Sequence, residues 1–471
     1  MSARREDFDS ITAREQGLRR SLSARKLSMI AIGGAIGTGL FLGSGYAIGL
    51  AGPGVLVSYV IGAAVALLLM GCLAEMTVTH PLTGSFGAYA EYYVGPLAGF
   101  LVRWCYWTGN VLAVGAEVTA VAVYMKYWFP MTPGWVWIFT FSGSLVLANA
   151  LAVNVFGTIE YWFSVVKITA IVAFIVLASY LVFGSPSAIG FANYTAHGGF
   201  LPHGWWGAWI AVMVAVFSYL SLEMIAVAAG EAEQPQIAIT RAFRSTIIRL
   251  ILFYLLTLAL MLALIPWTAA GAGESPFVIA MRTGHIPAAA GVVNFVILVA
   301  ALSSMNSLLY VCTRMMFSLS RAGQSPRRFG VLNRRGVPLQ ALLLSCSGVA
   351  VAAVLGALWP ERAYLVMLSI SGFGVMFVWM MIFITHYFFR RARLAQAQSS
   401  PQFRMWGYPV TTLLGAGLMA SVLITTLFNQ AFRMTLVFGI PFLALLSVIY
   451  YFGVARAGTT DEACGSPRGL E

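Results

Sequence analysis

Long apolar runs alternate with short polar joints about twelve times along this chain. The runs fall at about 27–52, 54–80, 98–128, 134–153, 159–183, 207–229, 243–266, 289–320, 338–356, 363–389, 409–428 and 432–454. Each is long enough to cross a bilayer core of about 30 Å as a helix. The pattern predicts an all-α membrane protein with about 12 transmembrane helices, lying in membrane lipid. Two runs are interrupted. The first carries GGAIGTGLFLGSG from Gly33 to Gly45. Glycine costs about 1 kcal/mol against alanine inside a helix, so the helix is open to breaking there. Broken backbone at membrane depth is tolerated only where it is buried in protein or lines a cavity. Its free N–H groups, with the dipole of a half-helix N-terminus, then suit an anion. On this reading Ile36, Gly37, Thr38 and Gly39 hold a carboxylate. The alternative is a glycine-packed helix contact, for which Gly33–Gly37 and Gly45–Gly49 have the spacing.

The sixth run holds a polar knot at mid-span, with Ser218, Tyr219, Ser221 and Glu223. The two interrupted runs lie five apart. That is the pattern of two five-helix inverted repeats whose discontinuous first helices meet at the midplane. It divides the chain into a tail (1–26), a first repeat (27–183), a second inverted repeat (207–389), two peripheral helices (409–454) and a C-terminal tail (455–471). The last two runs carry no ionisable residue at mid-membrane.

Composition agrees with a membrane protein. The chain is 60% hydrophobic and 9% charged, with mean hydropathy +0.84, where a soluble domain carries about 25% charged residues. The first 26 residues are polar and basic, with no apolar core or small-residue cleavage site, so no cleavable signal peptide is expected and the tail reads as disordered. The net charge of +12 reflects topology rather than nucleic acid. Arg4, Arg5, Arg14, Arg19, Arg20, Arg25 and Lys26 precede the first run; Arg241, Arg244 and Arg249 follow the sixth. Arg321, Arg327, Arg328, Arg334 and Arg335 follow the eighth; Arg390, Arg391, Arg393 and Arg404 follow the tenth. The opposite-side loops hold Arg282, Arg362 and Arg433, with Lys126 at the end of the third run. By the positive-inside rule both termini are cytoplasmic. Cys72, Cys105, Cys312, Cys346 and Cys464 have no metal-like spacing, so neither a disulfide framework nor a metal or cofactor site is expected.

Charges inside the apolar runs come next, because each costs about 2.5 kcal/mol or more at the bilayer centre and tends to face a cavity or a partner. Lys167 lies deep in the fifth run with no acidic residue within one helical turn in sequence. It reads as a proton switch or as a structural ammonium fixed by first-span carbonyls and eighth-span hydroxyls. Glu223 reads as a substrate or proton group, or as a carboxyl that satisfies backbone left open by the break. Glu117, in the third run, lies near the substrate side chain or in a helix–helix hydrogen bond. Glu75 and Glu160 lie near cytoplasmic ends and are expected to pair with loop arginines. Phe86, Tyr89, Tyr92 and Tyr93 predict an interfacial helix on the cytoplasmic side. No H-E-x-x-H or G-x-S-x-G occurs, which argues against an enzyme.

GGAIGTGLF in the first run, AEVTAVAVYMKYWFP in the third and GTIEYWFSVVK in the fifth resemble the amino acid–polyamine–organocation superfamily, specifically its bacterial amino acid permeases. FSYLSLEMIAVAAGEAEQP in the sixth and SSMNSLLYVCTRMMFSLSRAGQSPRRFGVLNRRGVP in the eighth and its loop extend the resemblance, which covers about residues 23–450. It implies the leucine-transporter-type fold and secondary active transport across a bacterial inner membrane. It implies that Ile36 to Gly39 bind the substrate carboxylate and that Phe217 gates the sixth-span break, beside Ser218 and Tyr219. It further implies that Glu223 takes part in proton coupling, and that Lys167 stands where sodium-coupled cousins hold an ion. Ser221 sits where relatives often have glycine, so a tighter sixth-span break is expected. Together these readings predict proton-coupled uptake of neutral L-amino acids. A cationic amino acid or GABA-type permease, or an exchanger, is the alternative.

Overall fold

The computed structural model describes residues 8–15, 18, 22–151, 153–184, 190–233, 235–270, 275–283, 289–359, 362–396 and 403–454. Arg4, Arg5, Arg19, Arg20, Cys464 and the C-terminal tail 455–471 lie outside them, as do the side chains of Arg241, Arg244 and Arg249.

Every apolar run is helical. The helices are α1 (Phe8–Arg14), α2 (Ala24–Ala35), α3 (Ser44–Ala51), α4 (Val55–Thr79), α5 (Ser85–Tyr93) and α6 (Pro96–Met125). They continue with α7 (Gly134–Leu151), α8 (Val153–Gly184), α9 (Gly204–Ser218), α10 (Met224–Ala228), α11 (Pro235–Leu264) and α12 (Pro276–Thr283). The last six are α13 (Ala289–Arg321), α14 (Leu339–Ser345), α15 (Ser347–Leu358), α16 (Ala363–Ala395), α17 (Val410–Thr425) and α18 (Met434–Ile449). Helices satisfy their own backbone polar groups, which the lipid interior demands. Among the described residues ten helical stretches are long and apolar enough to cross a membrane. The count is below twelve partly because the outer half of the first span runs on through a turn at Gly52–Gly54 into α4. Gly52 has φ 60°, and a Cβ there would come within 2.4 Å of Pro202.

The first and sixth spans are both interrupted, where the glycine run and the polar knot predict. Helix α2 stops at Ala35; Ile36 and Gly37 are non-helical, and a π-turn over Gly39–Gly43 leads into α3. Helix α9 stops at Ser218, and α10 resumes at Met224. The two breaks touch: a Cβ on Gly39 would lie 3.1 Å from Ser218 Cα.

Around them α6, α13 and α16 form the densest part of the bundle. Helices α6 and α16 approach so closely that a Cβ on Gly374 would sit 2.3 Å from the Cys105 carbonyl. Small residues permit such approach in membranes, where packing rather than the hydrophobic effect joins helices. Helices α17 and α18 pack mainly on α16 and leave Leu413, Leu414, Val437, Ile440 and Leu445 facing outward. That is the peripheral placement read from their lack of charge.

Two expectations change. Helix α5 forms, but Phe86, Tyr89 and Tyr93 are buried against the protein rather than spread on a surface. The N-terminal segment, expected to be disordered, is docked in its described parts. Arg14 and Arg103 both bind Glu91, at 2.5 and 2.6 Å. Ser318 donates to Glu15 at 2.5 Å, and Arg103 Nη2 lies 3.7 Å from the same carboxylate. Burial drives the Glu15 carboxyl above its usual range, with Arg103 opposing. For Glu91 burial works upward too, but Arg103 and Arg14 outweigh it and hold the group below that range. Leu22 then makes two main-chain hydrogen bonds beside Ala232: its N–H donates to the Glu231 carbonyl (3.0 Å), and Glu233 N–H donates to the Leu22 carbonyl (3.1 Å). A tail's composition does not reveal such docking, because the complementary charges belong to α5 and α6.

Candidate functional site

The loss of helix at Ile36 frees its carbonyl, and Lys167 on α8 takes it: Nζ donates to Ile36 O at 3.0 Å. The same Nζ donates to Ser303 Oγ on α13 at 2.7 Å. One ammonium therefore ties the first span to the fifth and the eighth. It is fully buried.

On the other side of the break, Thr38 Oγ1 donates to Glu117 Oε1 at 3.1 Å, and Ser304 Oγ donates to the same oxygen at 2.9 Å. Glu117 thus joins the first and eighth spans from α6. Its second oxygen, Oε2, is buried and has no hydrogen-bond partner among the described residues. Gly37 fits between these groups only because it lacks a side chain; a Cβ would lie 2.9 Å from Ser304 Oγ and 3.1 Å from Glu117 Oε1.

At the sixth-span break, Ser218 and Tyr219 are held by aromatic hydroxyls. Tyr254 donates to the Ser218 carbonyl at 2.9 Å, Tyr59 and Ser218 hydroxyls lie 2.8 Å apart, and Tyr219 donates to the Tyr59 carbonyl at 3.4 Å. Phe217 is buried against α16, where a Cβ on Gly372 would fall 2.0 Å from its ring, and its other neighbour is Phe432, 5.8 Å between centroids. Ser221 adopts φ 75°, the left-handed region that favours glycine. Glu223 receives Tyr106 Oη at 2.8 Å and Trp379 Nε1 at 3.0 Å, so both its oxygens are satisfied from α6 and α16.

The fold brings Ile36, Gly37, Thr38, Gly39, Glu117, Phe217 and Ser218 together around the two breaks. Lys167 adjoins them at Ile36. Glu223 lies on a separate network and shares no hydrogen bond with Lys167.

Glu75 pairs with an arginine as expected, though one inside α16 rather than in a loop: Arg390 Nε lies 2.8 Å from it, with His386 Nε2 at 3.1 Å and Met405 N–H at 2.8 Å on its other oxygen. Glu160 differs. Among the described residues it pairs with no arginine, but with the Ser303 hydroxyl and with Asn306 Nδ2 at 2.9 Å. It sits seven residues before Lys167, almost two full turns, and so on the same face of α8. That i, i+7 spacing is a signal present in the sequence beyond the reach of one helical turn. Two buried arginines inside apolar runs escape the sequence reading: Arg103, and Arg314, which binds Glu231 at 2.7 Å and lies 4.1 Å above the Tyr310 ring.

The amino acid permease family profile matches residues 26–458. A putative histidine permease of Bacillus subtilis is 39% identical over 93% of this chain and 94% of its own length. The aromatic amino acid transport protein AroP of Salmonella typhimurium is 37% identical over 95% of this chain and 98% of its own. A gamma-aminobutyric acid permease of Bacillus subtilis is 36% identical, covering 89% of this chain and 90% of its own.

Proposed function

The chain belongs to the amino acid permease family, and from that premise we propose that it takes up a neutral L-amino acid together with a proton, by alternating access across a bacterial inner membrane. Both termini are cytoplasmic on this reading, as the arginine distribution requires. The observation that carries it is the Lys167 ammonium on the Ile36 carbonyl. A buried cation beside the first-span break fills a place where a sodium ion would otherwise sit. It can also be discharged by losing a proton, which a fixed structural charge cannot.

The substrate carboxylate is placed on the N–H groups of Ile36 to Gly39, with its ammonium toward the open carbonyls of the first and sixth spans. Phe217 closes over it from outside, and Ser218 and Tyr219 shape the floor. Lys167 carries the coupling. Glu223 senses the closed lid or carries a second proton; its two aromatic donors favour the former. An inward proton contributes about 2.3 kcal/mol per 100 mV of membrane potential, enough to concentrate substrate tens of fold.

Histidine, aromatic and gamma-aminobutyric acid names occur among relatives of nearly equal identity, so identity does not rank the substrate. The case for a neutral one is that, among the described residues, the basic side chain at the breaks is Lys167, whose ammonium is already engaged by Ile36 O and Ser303 Oγ, so none is left to pair an acidic substrate. One observation favours a second reading: the unpartnered Oε2 of Glu117 suits a substrate bearing an extra or distal ammonium, as in a cationic or GABA-type permease.

The test is uptake by purified protein in liposomes, against a panel of labelled amino acids, with a pH gradient alone, a sodium gradient alone, and neither. Concentrative uptake of neutral amino acids on the pH gradient alone is expected. Accumulation driven by sodium alone overturns the coupling, and preferential uptake of arginine, lysine or gamma-aminobutyrate establishes the second reading instead.

A further inference from the structure

Glu160 is the buried acid that the proposed cycle leaves without a task. It has no solvent exposure, yet it is joined to Lys167 through one shared hydroxyl. Lys167 Nζ donates to Ser303 Oγ at 2.7 Å, and Ser303 Oγ in turn donates to Glu160 Oε1. The hydroxyl is therefore an acceptor on one side and a donor on the other, which is the polarity a proton transfer needs. Asn306 donates to the other carboxylate oxygen at 2.9 Å, and Asn149 Nδ2 donates to Asn306 Oδ1 at 2.7 Å. Those two amides fix the carboxylate and leave Oε1 for the serine.

Direction follows from the helix. Glu160 lies seven residues nearer the start of α8 than Lys167, about 10 Å along the axis. On the topology read from the arginines, that start is the cytoplasmic end. Of the described charged groups around this link, Glu117 lies across the break on α6, and Lys26 and Arg25 on α2 reach Thr158 and Tyr161 in the first turns of α8. Glu231 is occupied by Arg314.

We propose that Glu160 receives the coupling proton from Lys167 through the Ser303 hydroxyl and passes it to the cytoplasmic side. The step is balanced. An N–H bond of the Lys167 ammonium breaks and its proton goes to Ser303 Oγ, while the original hydroxyl proton goes to Glu160 Oε1. An ammonium and a carboxylate become an amine and a carboxylic acid; the serine is regenerated with its bonds reversed. No charge is left stranded in the apolar interior during the transfer, which matters where an unpaired one costs several kcal/mol. The neutral amine loses its charged grip on the Ile36 carbonyl, and the acid releases its proton when water reaches the inner end of α8. Glu160 and Ser303 act on the substrate only through Lys167, as positioning and relay groups. The inference rests on Lys167 being the coupling site.

The test uses Glu160→Gln, Ser303→Ala and Ser303→Thr in the full chain, reconstituted in liposomes. Two readouts are taken: accumulation on a pH gradient, and counterflow of labelled substrate with no gradient. Glu160→Gln and Ser303→Ala should lose at least 90% of gradient-driven accumulation while keeping counterflow within about threefold. Ser303→Thr, which keeps the hydroxyl, should restore accumulation. Wild-type accumulation that ignores the pH gradient defeats the coupling reading itself. A wild type that responds, with Glu160→Gln accumulating as well as it does, defeats the relay alone. Loss of counterflow together with accumulation in Ser303→Ala, unrescued by threonine, makes the cluster structural and also overturns the relay.

Discussion

The two helix breaks adjoin one another and have opposite chemistry. At the first, the freed carbonyl of Ile36 meets an ammonium, and the surrounding partners are aliphatic hydroxyls, an amide and two carboxylates: Ser303, Ser304, Thr38, Asn306, Glu117 and Glu160. At the sixth, among the described residues, the side-chain partners are aromatic: Tyr59 at the Ser218 hydroxyl, Tyr254 on the Ser218 carbonyl, and Tyr106 and Trp379 on the Glu223 carboxylate. Aliphatic hydroxyls and charged groups can swap protons and re-aim with one rotation. Large rings held in a packed core keep one position. On the proposed cycle the first break is the one that changes charge and the sixth the one that keeps shape. The difference teaches that a mid-membrane glutamate is not by itself a proton carrier; its donors decide.

The largest effect that would break this contrast comes from exchanging the two charged groups' fates. Lys167→Ala should reduce uptake on a pH gradient to the level seen with no gradient, while substrate binding survives because the proposed carboxylate site lies on the first span. Glu223→Gln should keep gradient-driven accumulation and weaken apparent affinity by a few fold, on the order of 1 kcal/mol for a substituted charged hydrogen bond. Parallel liposome assays of the two variants are the check, and equal loss of coupling in both would erase the distinction.

A smaller effect is expected inside the first break. Gly37→Val places carbon where Ser304 Oγ and Glu117 Oε1 stand about 3 Å away. Binding measured by isothermal titration or scintillation proximity should fall by tenfold or more. The melting temperature should shift far less than binding, since the hydroxyl and carboxylate are side chains that can yield. Binding at wild-type strength would move the carboxylate site elsewhere. The smallest effect belongs to the sixth break. Ser221 holds φ 75°, a conformation that costs an L-residue about 1 kcal/mol. Ser221→Gly should raise stability by somewhat less than that, because glycine loses more freedom on folding. Thermal unfolding in detergent should show a small upward shift, and a downward one would mean that the serine's contact near Gly34 outweighs its backbone strain.

Much of this architecture was legible in the chain. Apolar run length marked the spans, and arginine placement their alternation. Glycine density marked the first break and polar crowding the sixth. The partners were harder. Tyr106 and Trp379 look like any aromatics in an apolar helix until α6 and α16 are brought against α10. Ser303 and Asn306 were visible as polar residues in the eighth run, but nothing in their spacing says that α8 will lie beside them. Glu160 was assigned to arginines because it sits near a helix end, whereas the helix carries it inward on the face of Lys167. Arg103 and Arg314 hide within runs that remain apolar on average, and only the folded inner end reveals Glu91 and Glu231 waiting for them.

The strand-like seat of Leu22 has a mechanical consequence. Only Ser23 separates it from the start of α2, and its two main-chain bonds grip the chain just after α10. A single residue is too short a spacer to act as a hinge with much slack, so the inner halves of the two broken spans are yoked. Met224 already leans on Gly34 from the other side, where a Cβ would come within 2.9 Å of its sulfur. Were α10 to rock in the proposed cycle, α2 would be drawn with it, the pair acting as one lever about the two gaps in the helices.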